Sequence, residues 1–364
     1  MRSDQVTNEV TLCLFVEKIH STEYSARIVK KKLLLLSILV LVSAAEVVDA
    51  DTATPPDVLY ASVFRSQGLN FPQVKPWHVK AHYTLLKAGK MQNGTFEEWW
   101  IAPKTFKLSY TRKGFSQTDY ANAAGLFRMG EQEWPVGEEA WIHQELTQAL
   151  PAMPNAREAE LRPAAYSGST NLRCVEVVYK PVAADAAKPT DPVYCFDSGQ
   201  PVLRLTALHG MHNVTTYNRI AQFQGHYIAE EIQETWNDRT VFELTVDSME
   251  TLRDVDPAML VPPPSATLLT RDKVILPGGA LTVLKLLPPD YPSLAKQTRS
   301  DGKVDVLVTI DPLGHVVKVG PATGPALLRQ PASEAISHWI FRPFLFCGEP
   351  VEVDAEVSVI FRLN

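Results

Sequence analysis

The chain has no excess of positive charge: its formal net charge is −6 at pH 7, so the charge balance does not point to nucleic acid. It has no Gly-x-Ser-x-Gly elbow, phosphate-binding loop or dinucleotide fingerprint. Adjacent acids at Glu97-Glu98 and Glu230-Glu231 are expected on opposite faces of their strands, which makes them poor acid/base partners. The nine histidines do not assemble a metal site either. His78 and His82 share a face, but on a strand they lie about 13 Å apart. His209 and His212 flank Gly210-Met211 without a carboxylate or cysteine at zinc spacing, and read as a solvent-facing loop. The expectation is a protein that is not an enzyme and holds no cofactor or metal.

What is present is ordinary globular material, 45% hydrophobic and 21% charged, with seven Trp and eleven Tyr to seed cores. A length of 364 residues suits two domains or more, at roughly 100–200 residues each. A basic cluster, Arg27 to Lys32, precedes the apolar run Leu33 to Ala45, which then meets Glu46 and Asp49. The uninterrupted apolar part falls short of the ~20 residues that a membrane span needs. Its length and flanks are those of a secretory h-region, and small residues suited to cleavage follow at Ser43-Ala44-Ala45 and Val48-Asp49-Ala50. A cleaved Sec signal peptide and a periplasmic location are expected; the alternative is an uncleaved inner-membrane signal anchor. Residues 1–50 are therefore set apart as leader and signal peptide.

Of the four cysteines, Cys13 lies in the leader and Cys347 has no evident mate. Cys174 and Cys195 sit in strand-like segments, Leu172 to Tyr179 and Pro192 to Phe196, joined by a Pro- and Ala-rich hairpin loop. In an exported protein, two cysteines on neighbouring strands are expected to form a disulfide; the alternative is two reduced core thiols.

Residues 51–252 read mostly as antiparallel strands. Trp77, Val79, Ala81, Tyr83 and Leu85 alternate with polar residues, a period-2 pattern with one buried face. An Asn93-Gly94 turn signal precedes the next strand, which Pro103 ends. Gly137 to Leu150 is expected as one helix, with Trp141, Ile142, Leu146, Ala149 and Leu150 on one stripe. Single-sided strands wrapping one or two helices make an α+β plan built on a curved antiparallel sheet. The run Gly94-Thr-Phe-Glu-Glu-Trp-Trp100, Pro103, Phe106 to Tyr110 and Phe115 to Thr118 resembles successive strands of LolA-like periplasmic domains, over about residues 70–252. The resemblance implies an unclosed barrel and a lipid ligand in this domain. Pro257 and Pro262-Pro-Pro264 mark a Pro-containing linker, residues 253–285.

Residues 286–364 are more regular, in the order β-β-α-β. Val304, Val306, Val308 and Ile310 form one face of a strand, and Asp311-Pro-Leu-Gly314 turns it into a hairpin. A helix follows with Leu328, Ala332, Ala335, Ile336 and Trp339 on one stripe; Pro331 predicts that it starts late or kinks. Val351, Val353, Ala355, Val357, Val359 and Phe361 then alternate with polar residues in a terminal strand. This module resembles the TonB C-terminal domain family in Tyr291-Pro292 with Ala295, Gly302, Ile310-Asp311, Gly314, Ala335 and Trp339, Phe341-Arg-Pro343, and Gly348-Glu-Pro350-Val351. The resemblance implies binding by strand addition, in which the open edge of the last strand pairs with an extended segment of an outer-membrane transporter or other envelope protein. The partner-binding residues would be Tyr291, Pro292, Val351, Val353, Ala355, Val357 and Val359. The family pattern of anchor plus long Pro-rich stalk is not matched, which sets force transduction in doubt. The expected function is thus an exported envelope binding protein with a docking module; the alternative is a periplasmic lipid or lipoprotein carrier in which that module is structural.

Overall fold

A computed structural model describes residues 54–363, apart from 72, 136, 166–170, 182–189, 209–211, 271–273 and 277–279. The expectations for the leader, its cleavage or anchoring, Cys13, His209 and most of the loop after Lys180 lie outside the described residues. Among the described residues no helix is long and apolar enough to cross a membrane.

The period-2 pattern of the first module builds one large sheet. Its strands are β1 (Trp77–Lys87), β2 (Lys90–Ala102), β3 (Thr105–Arg112), β4 (Phe115–Asn122), β5 (Gly125–Gly130) and β6 (Ala159–Ala164). They continue as β7 (Leu172–Tyr179), β8 (Val193–Asp197), β9 (Leu203–Leu208), β10 (Asn213–Phe223), β11 (His226–Trp236), β12 (Arg239–Thr251) and β13 (Thr267–Leu269). The order β13-β5-β4-β3-β2-β1-β12-β11-β10-β9-β8-β7-β6 does not return on itself, so the curved antiparallel sheet stays open. Cys174 and Cys195 are register partners on β7 and β8 and form the disulfide, packed with Leu205 and Ala207 in a small cluster of their own.

One face of the sheet is covered by α1 (Pro56–Ser66), α2 (Gly137–Ala140) and α3 (Ile142–Gln148). The first of these was not foreseen; Leu59, Tyr60 and Val63 bury one side of it, and the Tyr60 ring meets Tyr194 and Phe196 edge-on. The single helix expected over 137–150 is interrupted at Trp141, which divides α2 from α3. The Asn93-Gly94 signal is not a turn. Gly94 lies within β2 opposite Tyr83, and a Cβ there would sit 2.2 Å from the Tyr83 ring. The missing side chain thus makes room for an aromatic ring, a recognised use of glycine inside strands.

The C-terminal module has the expected β-β-α-β order. It contains β14 (Ile275–Leu276), β15 (Val283–Lys285), α4 (Ser293–Gln297), β16 (Gly302–Ile310), β17 (Val316–Thr323) and α5 (Ala326–Ile336). It ends with β18 (Ile340–Phe341), β19 (Leu345–Phe346), β20 (Glu349–Pro350) and β21 (Val353–Phe361). The helix α5 begins five residues before Pro331, so it does not start late. Buried Leu328, Ala332, Ala335 and Ile336 on its inner side outweigh the missing proline N–H. At the hairpin, Gly314 has φ +92° and a Cβ would meet the Phe341 carbonyl at 1.9 Å; its own carbonyl accepts from the Phe341 amide at 2.8 Å.

The stretch 253–285 is not a free tether. Within it β13 pairs with β5 of the large sheet, β14 with β21, and β15 with β18. Buried apolar residues of both modules form one continuous core.

Candidate functional site

The junction of the modules is built around Arg342, the middle residue of Phe341-Arg-Pro343. Its side chain is 7% exposed and donates from Nη1 to Glu145 Oε1 on α3 at 2.5 Å. Its Nη2 donates to the carbonyls of Gln148 and Ala149, the latter at 3.1 Å, where α3 ends. The other oxygen of Glu145 accepts from the Tyr217 hydroxyl on β10 at 2.7 Å. Burial and the adjoining Glu145 carboxylate push the Tyr217 phenol well above its ordinary pKa. One guanidinium from the second module therefore satisfies a buried carboxylate and two helix-end carbonyls of the first. Trp134 and Phe344 meet edge-on at 5.0 Å, and Lys104 pairs with Glu349 at 2.6 Å across the same junction.

Beside this contact lies a cavity of about 310 Å³. The sheet contributes Thr206, Asn213, Thr215, Tyr217 and Glu234, the helices Glu138 and Glu145 with Trp141 between them, and the C-terminal module Leu281 to Leu284 with Arg342. Burial pushes the Glu234 carboxyl up to about 7, partly opposed by the bond from Asn213 and aided by Glu138 and Glu145. Burial likewise raises Glu138.

Other buried polar pairs line the covered face, with Glu139 Oε2 and Glu98 Oε1 left without a hydrogen-bond partner among the described residues. Glu139 accepts from Arg112 Nε at 2.9 Å and from the Tyr83 hydroxyl. Arg128 binds Asp119 through two bonds of 2.7 Å and lies over the Trp134 ring. His143 and Glu98 meet at 2.8 Å; burial opposes charging of His143, and the Glu98 carboxylate outweighs it, so its pKa is raised.

Among the described residues, His78, His82 and His212 each have partners of their own. His78 lies between Glu97 and Glu250 at 2.9 and 3.0 Å, while His82 pairs with Asp247 and His212 with Asn237. Glu97 and Glu98 do face opposite ways, but Glu230 and Glu231 both reach Arg219, a residue of positive φ within β10. Among the described residues no group of three or more His, Cys, Asp or Glu could hold a metal ion.

The expected docking edge is changed in two ways. First, β21 is not an edge strand: the sheet order is β14-β21-β16-β17, and β14 pairs in parallel with Asp354 and Ala355. Second, the side chains of Val351, Val353, Ala355, Val357 and Val359 are buried in the core, so they are not presented to a partner. Tyr291 stacks edge-on against Phe361 and donates to the Ser300 carbonyl at 2.6 Å, and both it and Pro292 are half-buried. The outer backbone of Glu356–Phe361 has no strand partner among the described residues. At the opposite edge, β17 carries Pro321 and two breaks of register, which blunt it against pairing.

No curated protein matches the chain. Among solved structures, a putative outer membrane lipoprotein-sorting protein domain from Vibrio parahaemolyticus is 8% identical, with 51% of this chain and 89% of that one covered at a TM-score of 0.32. A LolA superfamily protein from Nitrosomonas europaea is 8% identical, covering 58% and 99% at a TM-score of 0.36. A DUF1329 family protein from Desulfovibrio piger is 9% identical, covering 57% and 97% at 0.35. The family model described as Gram-negative bacterial TonB protein C-terminal matches residues 288–363, so this module of the chain is similar to the C-terminal part of TonB.

Proposed function

We propose that the protein is a cell-envelope binding protein in which the open sheet holds a small ligand and the C-terminal module is fixed over it as a cap. The observation that carries this reading is the cavity of about 310 Å³ that both modules line, with Arg342 of the cap bonded into the first module beside it. The match of residues 288–363 to a Gram-negative TonB family supports the envelope setting. Three carboxyl groups, an amide and hydroxyls in the lining favour a polar ligand over an acyl chain, which weakens the lipid-carrier alternative. A module latched and sharing one core with its neighbour is poorly suited to transmitting force, and no catalytic step is proposed. The test is a native mass spectrum of protein extracted gently from the envelope. A small-molecule adduct is expected, lost in Thr215→Trp, which fills the cavity. Bare protein, or an adduct indifferent to that substitution, contradicts the reading.

A second reading keeps strand addition, restricted to Glu356–Phe361, because that stretch of β21 extends beyond the cover of β14. The partner would be an outer-membrane transporter or another envelope protein. A photo-crosslinker at Ile360 should then capture such a protein, and one at Val317 on the blunted edge should not. Equal capture at both positions removes this reading.

A further inference from the structure

Resting on that reading of the cavity, we infer that its ligand is a small organic cation whose ammonium group is held by the carboxylate of Glu234. The cavity is lined by the carboxyls of Glu138, Glu145 and Glu234 and by a single guanidinium, that of Arg342. That guanidinium is engaged through Nη1 and Nη2 by Glu145 and two carbonyls, leaving its buried Nε without a hydrogen-bond partner among the described residues; its charge is spent on Glu145 and not on the other two acids.

Glu234 supplies an independent sign of a missing partner, because of the carboxyls with an unpartnered buried oxygen, Glu98, Glu139 and Glu234, it is the one that lines this cavity. It is 8% exposed, its Oε1 accepts from Asn213 Nδ2 at 2.5 Å, and its buried Oε2 has no hydrogen-bond partner among the described residues. An unmet buried acceptor costs free energy, and a donor that also carries positive charge is the strongest partner for it. The side chains of Trp141 and Trp236 line the same cavity, aromatic surroundings of the kind that cations favour. An anion would instead meet uncompensated carboxyls. The volume stands at the lower end of the usual range for small-molecule sites, which suits a small primary diamine whose ammonium N–H groups can donate.

Burial keeps a proton on Glu234 up to about pH 7, and an arriving cation would displace it. The other groups facing it are Glu138 on α2, Glu145 on α3, Tyr217 on β10 and Arg342 from the cap; the two acids hold its proton more tightly, and the last is tied to Glu145. Cation binding at pH 6.5 should therefore release protons, which a merely structural Glu234 would not do.

The experiment is calorimetric titration of the full-length protein at pH 6.5 in two buffers of different ionisation enthalpy. Putrescine and cadaverine are the cation probes, with succinate and trehalose as controls. Saturable one-to-one binding of either cation is expected, with buffer-dependent heat and no binding of the controls. Glu234→Gln should weaken it by about ten-fold to a hundred-fold, the worth of a charge-assisted bond, and Glu138→Gln by less. Failure of both cations to bind, or undiminished affinity in Glu234→Gln, overturns the inference. If cations fail while trehalose binds or the extracted protein carries another adduct, the cation assignment falls and the cavity reading stands. If nothing binds and the extracted protein is bare, both fall.

Discussion

Replacing Arg342 by methionine keeps much of the apolar stem and removes the guanidinium that joins the two modules. Both charged partners are nearly enclosed, with side-chain exposures of 7% for Arg342 and 8% for Glu145. Removing one member of a buried pair costs about 3–5 kcal/mol, because the other is left charged without compensation. Tyr217 would still donate to Glu145, which places the expected loss near the low end, at about 3 kcal/mol. Glu145→Gln keeps an acceptor and removes the charge, and should cost about 2 kcal/mol. The double variant should cost less than the two single losses together, by at least about 1 kcal/mol, since the groups touch. Urea unfolding followed by far-ultraviolet circular dichroism measures all four proteins. A loss under about 1 kcal/mol for Arg342→Met, or strict additivity in the double variant, would refute the latch.

Glu234→Gln should leave stability unchanged near pH 4.5 and raise it above pH 7. The folded carboxyl binds its proton more tightly than the unfolded one, so wild-type stability falls as pH rises from 4.5 to about 7. The gain at pH 8 should approach about 3 kcal/mol, and a flat difference across this range contradicts it. Replacing Cys174 and Cys195 by alanine opens a loop of 21 residues and should cost about 3 kcal/mol in urea unfolding; a loss under about 1 kcal/mol would mean that the sheet, not the bond, holds the β7–β8 pair. Gly94→Ala drives a methyl group into the Tyr83 ring and should cost about 1–3 kcal/mol, but much less when introduced into Tyr83→Leu, which carries its own loss of the Glu139 bond; an equal cost in both backgrounds would place the strain elsewhere.

The alternating strands were legible because burial on one face leaves a local record. The terminal strand reads apolar at Val353, Ala355, Val357, Val359 and Phe361, and each of these is buried. Cys174 and Cys195 were legible as a pair because their segments are consecutive strands. Gly94 misled because a glycine that yields to a ring and a glycine in a turn look alike without the partner strand. Strand β14 was missed since two residues carry no periodicity, yet they change which backbone is open on β21. Arg342 falls within the Phe341-Arg-Pro343 match, but Glu145 lies 197 positions away, and nothing local pairs the two. The first turn of α1 did offer a signal, proline followed by Asp57 ahead of Leu59, Tyr60 and Val63. Glu234 offered one as well, falling on the inward parity of β11 with Ile232.

The claim that the C-terminal module is a fixed cap is tested most directly by amide hydrogen exchange across a urea series, read by mass spectrometry on peptides covering residues 142–150 and 340–346. If Arg342 and the shared core bind the modules into one unit, both peptides lose protection at the same denaturant concentration, and Arg342→Met separates them. Loss of protection in 340–346 of the unaltered protein while 142–150 stays fully protected would show that the cap opens by itself, and would contradict the account.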